Sequence, residues 1–346
     1  MKYLLSLVLI FLTVIPAMSK IKLLTITVAD YAPESGWAHI NADNDKEIIL
    51  QQFQASASIT TLSESEATYS NILKHLSKLK DNVLKGDTVI VHFSGHGQQI
   101  VALDDSAEPD GLDEALVPFD AAKNKSAAYD GRNHLRDNEF GFHLDQLRRA
   151  AGPQGLVIAI IDACHSDSMN KGTQNSDDDI VRGTYEIFGL TDDEFAAFRS
   201  RYRNQETAPL TESSDASSIM IISACRSDQI NHEIKVDGKG YGSLTYYFID
   251  AIKATGLQNP IAFLDHLYSS MFADKTLRFH GQLPLVRNTL GWISPEKEIV
   301  TVPQPIGEEP SDENTSSLLK VSWLYVLIGS LILILIFSLI WKKMKK

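Results

Sequence analysis

The sequence predicts an α/β fold in which a mostly parallel central sheet is flanked by helices. Short, mostly apolar runs alternate along the chain with longer segments whose apolar residues recur at helical spacing. The clearest runs cover residues 88–93, 156–161 and 218–223. Strands that are buried on both faces are typical of parallel sheets covered by helices, so an α/β architecture is expected.

The first predicted elements are a strand over 22–28 and a helix that begins in the Asx-rich stretch 41–45. Asx residues commonly cap helices, which is one interpretation of that stretch. Ser63-x-x-Glu66 is a capping-box pattern, and the apolar residues behind it recur at helical spacing. A second helix is therefore predicted there.

Two of the buried strands are each followed by a reactive side chain. The strand 88–93 leads into Ser94-Gly95-His96-Gly97, and the strand 156–161 leads into Asp162-Ala163-Cys164-His165-Ser166. Between them lie an acidic stretch without periodicity, 104–120, and a helix that Asp137 can cap.

The folded domain is predicted to span residues 20–294 and to contain a polar inserted loop, 166–217. Loops of this length are more often functional or disordered than structural. Helices over 243–254 and 261–272 follow the strand 218–223 and complete the domain.

Both ends of the chain carry features of a membrane-anchored, single-pass protein. Residues 1–19 resemble a secretory signal peptide, with an early lysine, a short apolar run and small residues at the end. The sequence predicts a disordered stalk over residues 295–317 and a transmembrane helix over residues 318–341. Residues 342–346 are predicted to form a basic tail in the cytoplasm. Lysines after the helix predict that the folded domain lies outside the cytoplasm.

Charge and cysteine content restrict the class of partner. The net charge of −12 argues against nucleic acid and is compatible with basic peptide substrates. The chain has two cysteines, Cys164 and Cys225, too few for a disulfide scaffold. A single disulfide between them would abolish any nucleophile at Cys164, and a buried structural cysteine is a further alternative.

His96 and Cys164 together predict a cysteine hydrolase. If their strands are parallel neighbours, both side chains emerge at the same edge of the sheet, where α/β folds present their chemistry. A nearby imidazole can take the thiol proton. The backbone N–H groups of Gly97 and Cys164 could then form an oxyanion hole.

These motifs resemble those of the caspase-like cysteine peptidases, and of the metacaspases in particular. The resemblance also covers Asn44-Asp45, the acidic segment 110–120, the segment Ser223-Ala224-Cys225-Arg226-Ser227-Asp228-Gln229, and Gln282-Leu283-Pro284-Leu285. It extends over about residues 22–286, which is nearly the whole predicted domain.

The resemblance implies a caspase-like fold and a cysteine-type endopeptidase that cleaves after Arg or Lys through an acyl-enzyme. His96 would be the general base and Cys164 the nucleophile. The pocket for the residue before the cut (the S1 pocket, which binds the P1 residue) would contain Asp45, Ser94, Asp162 and Asp228. Carboxylates suit a guanidinium and repel an acidic P1 residue. Alternatively, Asp45 only caps its helix.

No cofactor is required by this mechanism, although metacaspases often respond to calcium. Asp120 and Asp137 match the aspartates that would bind calcium. Asn138 and Lys171 stand where further acidic ligands would be expected, so the sequence leaves calcium dependence open.

The inserted loop contains five basic residues that a peptidase specific for basic residues could cut: Lys171, Arg182, Arg199, Arg201 and Arg203. Alternatively, they are simply part of a solvated loop.

The alternative to a peptidase is a non-enzymatic binding or signalling module with a caspase fold at the cell surface.

Overall fold

The computed structural model describes residues 20–103, 111–164, 180–190, 213–226 and 229–294. The predicted signal peptide, stalk, membrane helix and basic tail lie outside the described residues, as do Asp228 and most of the inserted loop. Within the described ranges no helix is both long enough and apolar enough to cross a membrane. The described residues up to Ile293 belong to one compact unit.

The strands of the described chain follow one another in this order: β1 (Ile21–Thr27), β2 (Ala57–Ser63), β3 (Thr88–Ser94), β4 (Gly97–Val101), β5 (Leu112–Leu116), β6 (Leu135–Arg136), β7 (Leu156–Asp162), β8 (Ser218–Ser223), β9 (Glu233–Val236), β10 (Lys239–Gly242) and β11 (Leu285–Asn288). The helices are α1 (Ala42–Phe53), α2 (Tyr69–Asn82), α3 (Asp137–Ala151), α4 (Ser243–Thr255), α5 (Pro260–Ala273) and α6 (Lys275–His280).

The central sheet has the strand order β11-β8-β7-β3-β1-β2. Every neighbouring pair is parallel except β11 with β8, which confirms the mostly parallel sheet. A small antiparallel sheet, β4-β5-β6, and the hairpin β9-β10 lie outside it. The edge strand β2 was not predicted, because its sequence Ala-Ser-Ile-Thr-Thr-Leu-Ser is largely polar and only Leu62 is buried.

Helices cover both faces of the sheet, as expected for α/β proteins. Leu24, Val91 and Val157 point to the face covered by α2 and α3. Their neighbours Leu23, Ile90 and Ile158 point to the opposite face, covered by α1, α4 and α5. All six side chains are fully buried, so the two-sided apolar pattern of the strands has a direct structural cause.

Two predicted helix caps are corrected. Ser63 ends β2, and its hydroxyl contacts that of Thr27; the cap of α2 is Thr68, whose side chain accepts from the Asn71 N–H. Asp137 is the first residue of α3, and the N-cap position is Arg136, without a side-chain capping bond. The capping-box pattern therefore marked the right region but the wrong residue.

Candidate active site

The register of the sheet brings His96 and Cys164 to the same edge. Ser94 at the end of β3 pairs with Asp162 at the end of β7, and the two strands run parallel. His96 and Cys164 each follow two residues after that pair. The expectation that the two strands are parallel neighbours is confirmed.

The imidazole of His96 is buried and neutral. Its ring stacks on Trp37 with the centroids 4.7 Å apart, and Nε2 lies 2.9 Å from the carbonyl oxygen of Ala38. A carbonyl can only accept, so Nε2 carries the proton and Nδ1 has the lone pair. Nδ1 is buried without a hydrogen-bond partner in the described part of the chain. Burial lowers the pKa of His96 to about 4.

Cys164 and Cys225 are both thiols, and their sulfur atoms lie 3.4 Å apart. A disulfide would need about 2.05 Å, so the cross-link that the sequence left open is not formed. The Cys164 thiol donates to the carbonyl oxygen of Gln229 at 3.0 Å. Cys164 is only 1% exposed, and part of the inserted loop lies over it.

That part is the segment 180–183, which runs beside the residues leading into β9. The Arg182 N–H donates to the Asn231 carbonyl at 3.0 Å, and the Glu233 N–H donates to the Ile180 carbonyl at 2.9 Å. An antiparallel bridge joins Val181 to His232 between those two bonds. The segment is thus held by one antiparallel bridge and two flanking backbone bonds, which resembles the way extended peptides commonly bind beside a strand.

The carbonyl of Arg182 lies at the backbone of the proposed nucleophile. The Cys164 N–H donates to this oxygen at 2.8 Å. An N–H group in that place is one half of the predicted oxyanion hole. Gly97 begins β4 opposite Leu116, and its share in the hole remains a prediction.

The side chain of Arg182 is fully buried in a pocket of acidic residues. One terminal nitrogen, Nη1, donates to Asp45 Oδ2 at 2.7 Å and to Ser94 Oγ at 2.7 Å, and it lies 3.8 Å from Asp162 Oδ1. The structure therefore brings together three of the four predicted S1 residues. Asp228 lies outside the described residues.

Glu233 is a further pocket residue that sequence reasoning missed. Its Oε1 accepts from Nε of Arg182 at 3.1 Å and from Nη2 at 2.9 Å. The backbone N–H of Asn41 also donates to Oε1, at 2.8 Å, and fixes the carboxylate. The only sequence signal was its position after the segment 223–229, at the start of a hairpin with an Asp237-Gly238 turn.

The two buried aspartates are held by hydrogen bonds from other elements. The Gly242 N–H donates to Asp45 Oδ1 at 2.9 Å, and Thr245 donates to Asp162 Oδ2 from both its N–H, at 2.6 Å, and its hydroxyl, at 2.7 Å. Burial raises the pKa of Asp45 to about 7, against the lowering effect of Arg182. The capping alternative for Asp45 is wrong, because the N-cap of α1 is Asn41.

Gly242 forms a wall of the pocket where no side chain fits. A Cβ atom added there would overlap the Asp162 carboxylate and lie 2.5 Å from Nη1 of Arg182. The guanidinium is therefore in direct contact with the backbone at this position.

The structure describes both of the residues that were predicted to bind calcium, Asp120 and Asp137. Asp120 Oδ1 accepts from the Tyr69 N–H at 2.8 Å, and Asp137 begins α3. Among the described residues, no group of three or more His, Cys, Asp or Glu side chains is arranged to hold a metal ion. Residues 104–110 and 165–179 lie outside the described part of the chain, so a calcium response stays a prediction.

The chain belongs to the caspase-domain family, whose family model matches residues 22–287. The curated relatives that it matches include metacaspases of plants and fungi, so it is a metacaspase-like member of this family. Metacaspase-3 of Arabidopsis thaliana is 28% identical over 255 residues, covering 70% of this chain and 62% of the relative. Metacaspase-1A of Neurospora crassa is 25% identical over 228 residues, covering 58% and 47%.

The chain thus spans roughly half to three-fifths of the length of these relatives, 47% and 62%. The crystal structure of protein GSU0716 from Geobacter sulfurreducens aligns with a TM-score of 0.52 and 21% identity, covering 78% of this chain and 93% of that one. At that identity the likeness shows the fold alone.

Proposed function

We propose that the protein is a cysteine endopeptidase that cleaves after arginine and, more slowly, after lysine, with Cys164 as nucleophile and His96 as general base. One observation carries this proposal: an arginine of the same chain fills an acidic pocket while its carbonyl accepts the Cys164 N–H at 2.8 Å. This pair of contacts supports Arg182 as a bound P1 residue.

The proposed reaction is an acyl transfer in two stages. His96 Nδ1 takes the proton of the Cys164 thiol, and the thiolate attacks the carbonyl carbon of the P1 residue. The N–H of Cys164, with that of Gly97, stabilises the oxyanion. The C–N bond then breaks, His96 returns the proton to the leaving amine, and water hydrolyses the thioester with His96 again as base.

The geometry of the pocket favours arginine over lysine. Glu233 accepts from Nε and Nη2, while Asp45 and Ser94 contact Nη1 on the other side of the same guanidinium. A lysine has one ammonium group and cannot bridge both sides at once. Three carboxylates around the pocket would repel an acidic P1 side chain.

The bound arginine also supports one self-cleavage point among the candidates. Of the basic residues that the sequence singled out in the loop, Arg182 is described and fully buried, so it is not part of a solvated surface. We place the scissile bond between Arg182 and Gly183. Until it is cut, or the segment leaves, the chain occupies its own S1 pocket.

Purified protein and its Cys164→Ala variant test this function together. We expect the wild-type chain to break into two pieces with a new N-terminus at Gly183, and the variant to remain one band. In peptides matched except at P1, we expect cleavage rates in the order Arg, Lys, then Asp, with no turnover by the variant. No Cys164-dependent cleavage of the chain or of any peptide, with or without calcium, would favour the non-enzymatic rival.

The apolar segments near both ends of the chain are the basis of a separate proposal about where the protein is located. We propose a secretory leader over residues 1–19 and a single membrane helix over 318–341, with the caspase domain outside the cytoplasm. The expected result is a protein that stays with membranes after alkaline extraction and whose domain is digested by protease added to intact cells. A chain ending at residue 294 is the control and should be released; recovery of the full chain in the soluble fraction would contradict the proposal.

A further inference from the structure

We infer that the residue after the cut, P1′, must be glycine, so that the enzyme selects Arg–Gly bonds. This inference rests on the proposed function and adds a second specificity position to it. It comes from the contact between Gly183 and the backbone of Cys164.

The contact leaves no room for a side chain at Gly183. A Cβ atom added there would overlap the carbonyl oxygen of Cys164 and lie 3.0 Å from its Cβ and 3.1 Å from its carbonyl carbon. Real Cβ atoms do not approach backbone atoms this closely. The obstacle is the main chain of the proposed nucleophile, not the end of a flexible side chain.

The backbone of Cys164 cannot move away easily, because it follows a strand held on both sides. The carbonyl of Asp162 accepts from the Gly95 N–H at 3.3 Å, and the carbonyl of Ile161 accepts from the Ala224 N–H at 3.1 Å. Cys164 itself donates to Arg182 at 2.8 Å. A shift of Cys164 would break the contact that places the carbonyl for attack.

The bound segment is equally constrained. Its backbone is fixed by the bonds of Ile180 and Arg182 to Glu233 and Asn231, and the guanidinium is fixed in the S1 pocket. Moving Gly183 outward to admit a side chain would pull the Arg182 carbonyl from the Cys164 N–H. A displacement of a reacting group by about 1 Å can lower the rate of cleavage about 100-fold.

The test uses internally quenched peptides with the chain's own sequence, Ile-Val-Arg-Xaa-Thr-Tyr, where Xaa is Gly, Ala or Val. We expect kcat/KM for the Gly peptide to exceed that for the Ala peptide by about 100-fold. The Val peptide should have a lower kcat/KM than the Ala peptide. A peptide with Gly at P1′ but Ala in place of the following Thr is the matched control, and should be cleaved like the parent. In the full chain, Gly183→Ala should block self-cleavage, whereas Thr184→Ala should not.

The outcomes separate this inference from the proposed function. Cys164-dependent cleavage of the Gly and Ala peptides at rates within threefold, or self-cleavage of Gly183→Ala at the wild-type rate, would overturn the glycine requirement and leave the peptidase intact. Absence of Cys164-dependent cleavage of the Gly peptide and of the wild-type chain would overturn the peptidase itself, and the glycine requirement with it.

Discussion

Replacing Arg182 with alanine should destabilise the protein strongly. The guanidinium is fully buried among Asp45, Asp162 and Glu233, whose side chains are at most 4% exposed. Removing one partner of a buried ion pair leaves uncompensated charge and costs about 3–5 kcal/mol of unfolding free energy. The measurement is urea unfolding in a Cys164→Ala background, which keeps the chain intact.

A surface arginine provides the control for that experiment. Arg132 pairs with Asp130 in an exposed ion pair, so Arg132→Ala should leave the unfolding free energy unchanged. Millimolar agmatine, which ends in a guanidinium, should fill the emptied pocket and raise the Tm of Arg182→Ala, while equal concentrations of sodium chloride should not. Equal stability of the Arg182 and Arg132 variants would contradict a buried arginine site.

Replacing Gly242 with alanine should close the S1 pocket. The added Cβ would overlap the Asp162 carboxylate and lie 2.5 Å from Nη1 of the bound arginine. The guanidinium would have to withdraw, and with it the carbonyl beside Cys164, so kcat/KM for Arg peptides should fall about 100-fold. Self-cleavage at Arg182 should slow in the same proportion.

Gly141 in α3 is the matched control, because a Cβ there meets nothing within 4 Å. Gly141→Ala should keep full activity and gain about 1 kcal/mol of stability, since alanine is the better helix former. Circular dichroism would verify that both variants fold. Undiminished cleavage of Arg peptides by a folded Gly242→Ala variant would show that P1 binds elsewhere.

The sheet and the position of His96 and Cys164 at one of its edges were predictable, because both depend on local sequence. β1, β3, β7 and β8 are apolar runs, and parallel neighbours necessarily present the residues that follow them at one edge. The sequence alone could therefore place His96 and Cys164 near each other. The edge strand β2 could not be found this way, because only one of its residues is buried and its apolar pattern is correspondingly weak.

The full set of residues around the Arg182 side chain was not predictable, since it depends on long-range placement. Glu233 and Gly242 enter from a hairpin, and Gly242 bonds Asp45 across 197 positions of the chain. The local sequence around Glu233 does not show that this residue is buried while other acidic residues are exposed. The choice of Arg182 among the basic residues of the loop likewise follows from its register against Asn231 and Glu233, which only the folded chain reveals.

The parallel pairing of β7 with β8 has a consequence for the protein after self-cleavage. A break after Arg182 would put Asp45, Ser94, His96 and Cys164 on one polypeptide and Glu233 and Gly242 on another. Neither piece contains a complete arginine pocket. The two would be held side by side by the ladder between β7 and β8, so we expect the processed chain to be an obligate pair of fragments, and separating them should end the proposed activity.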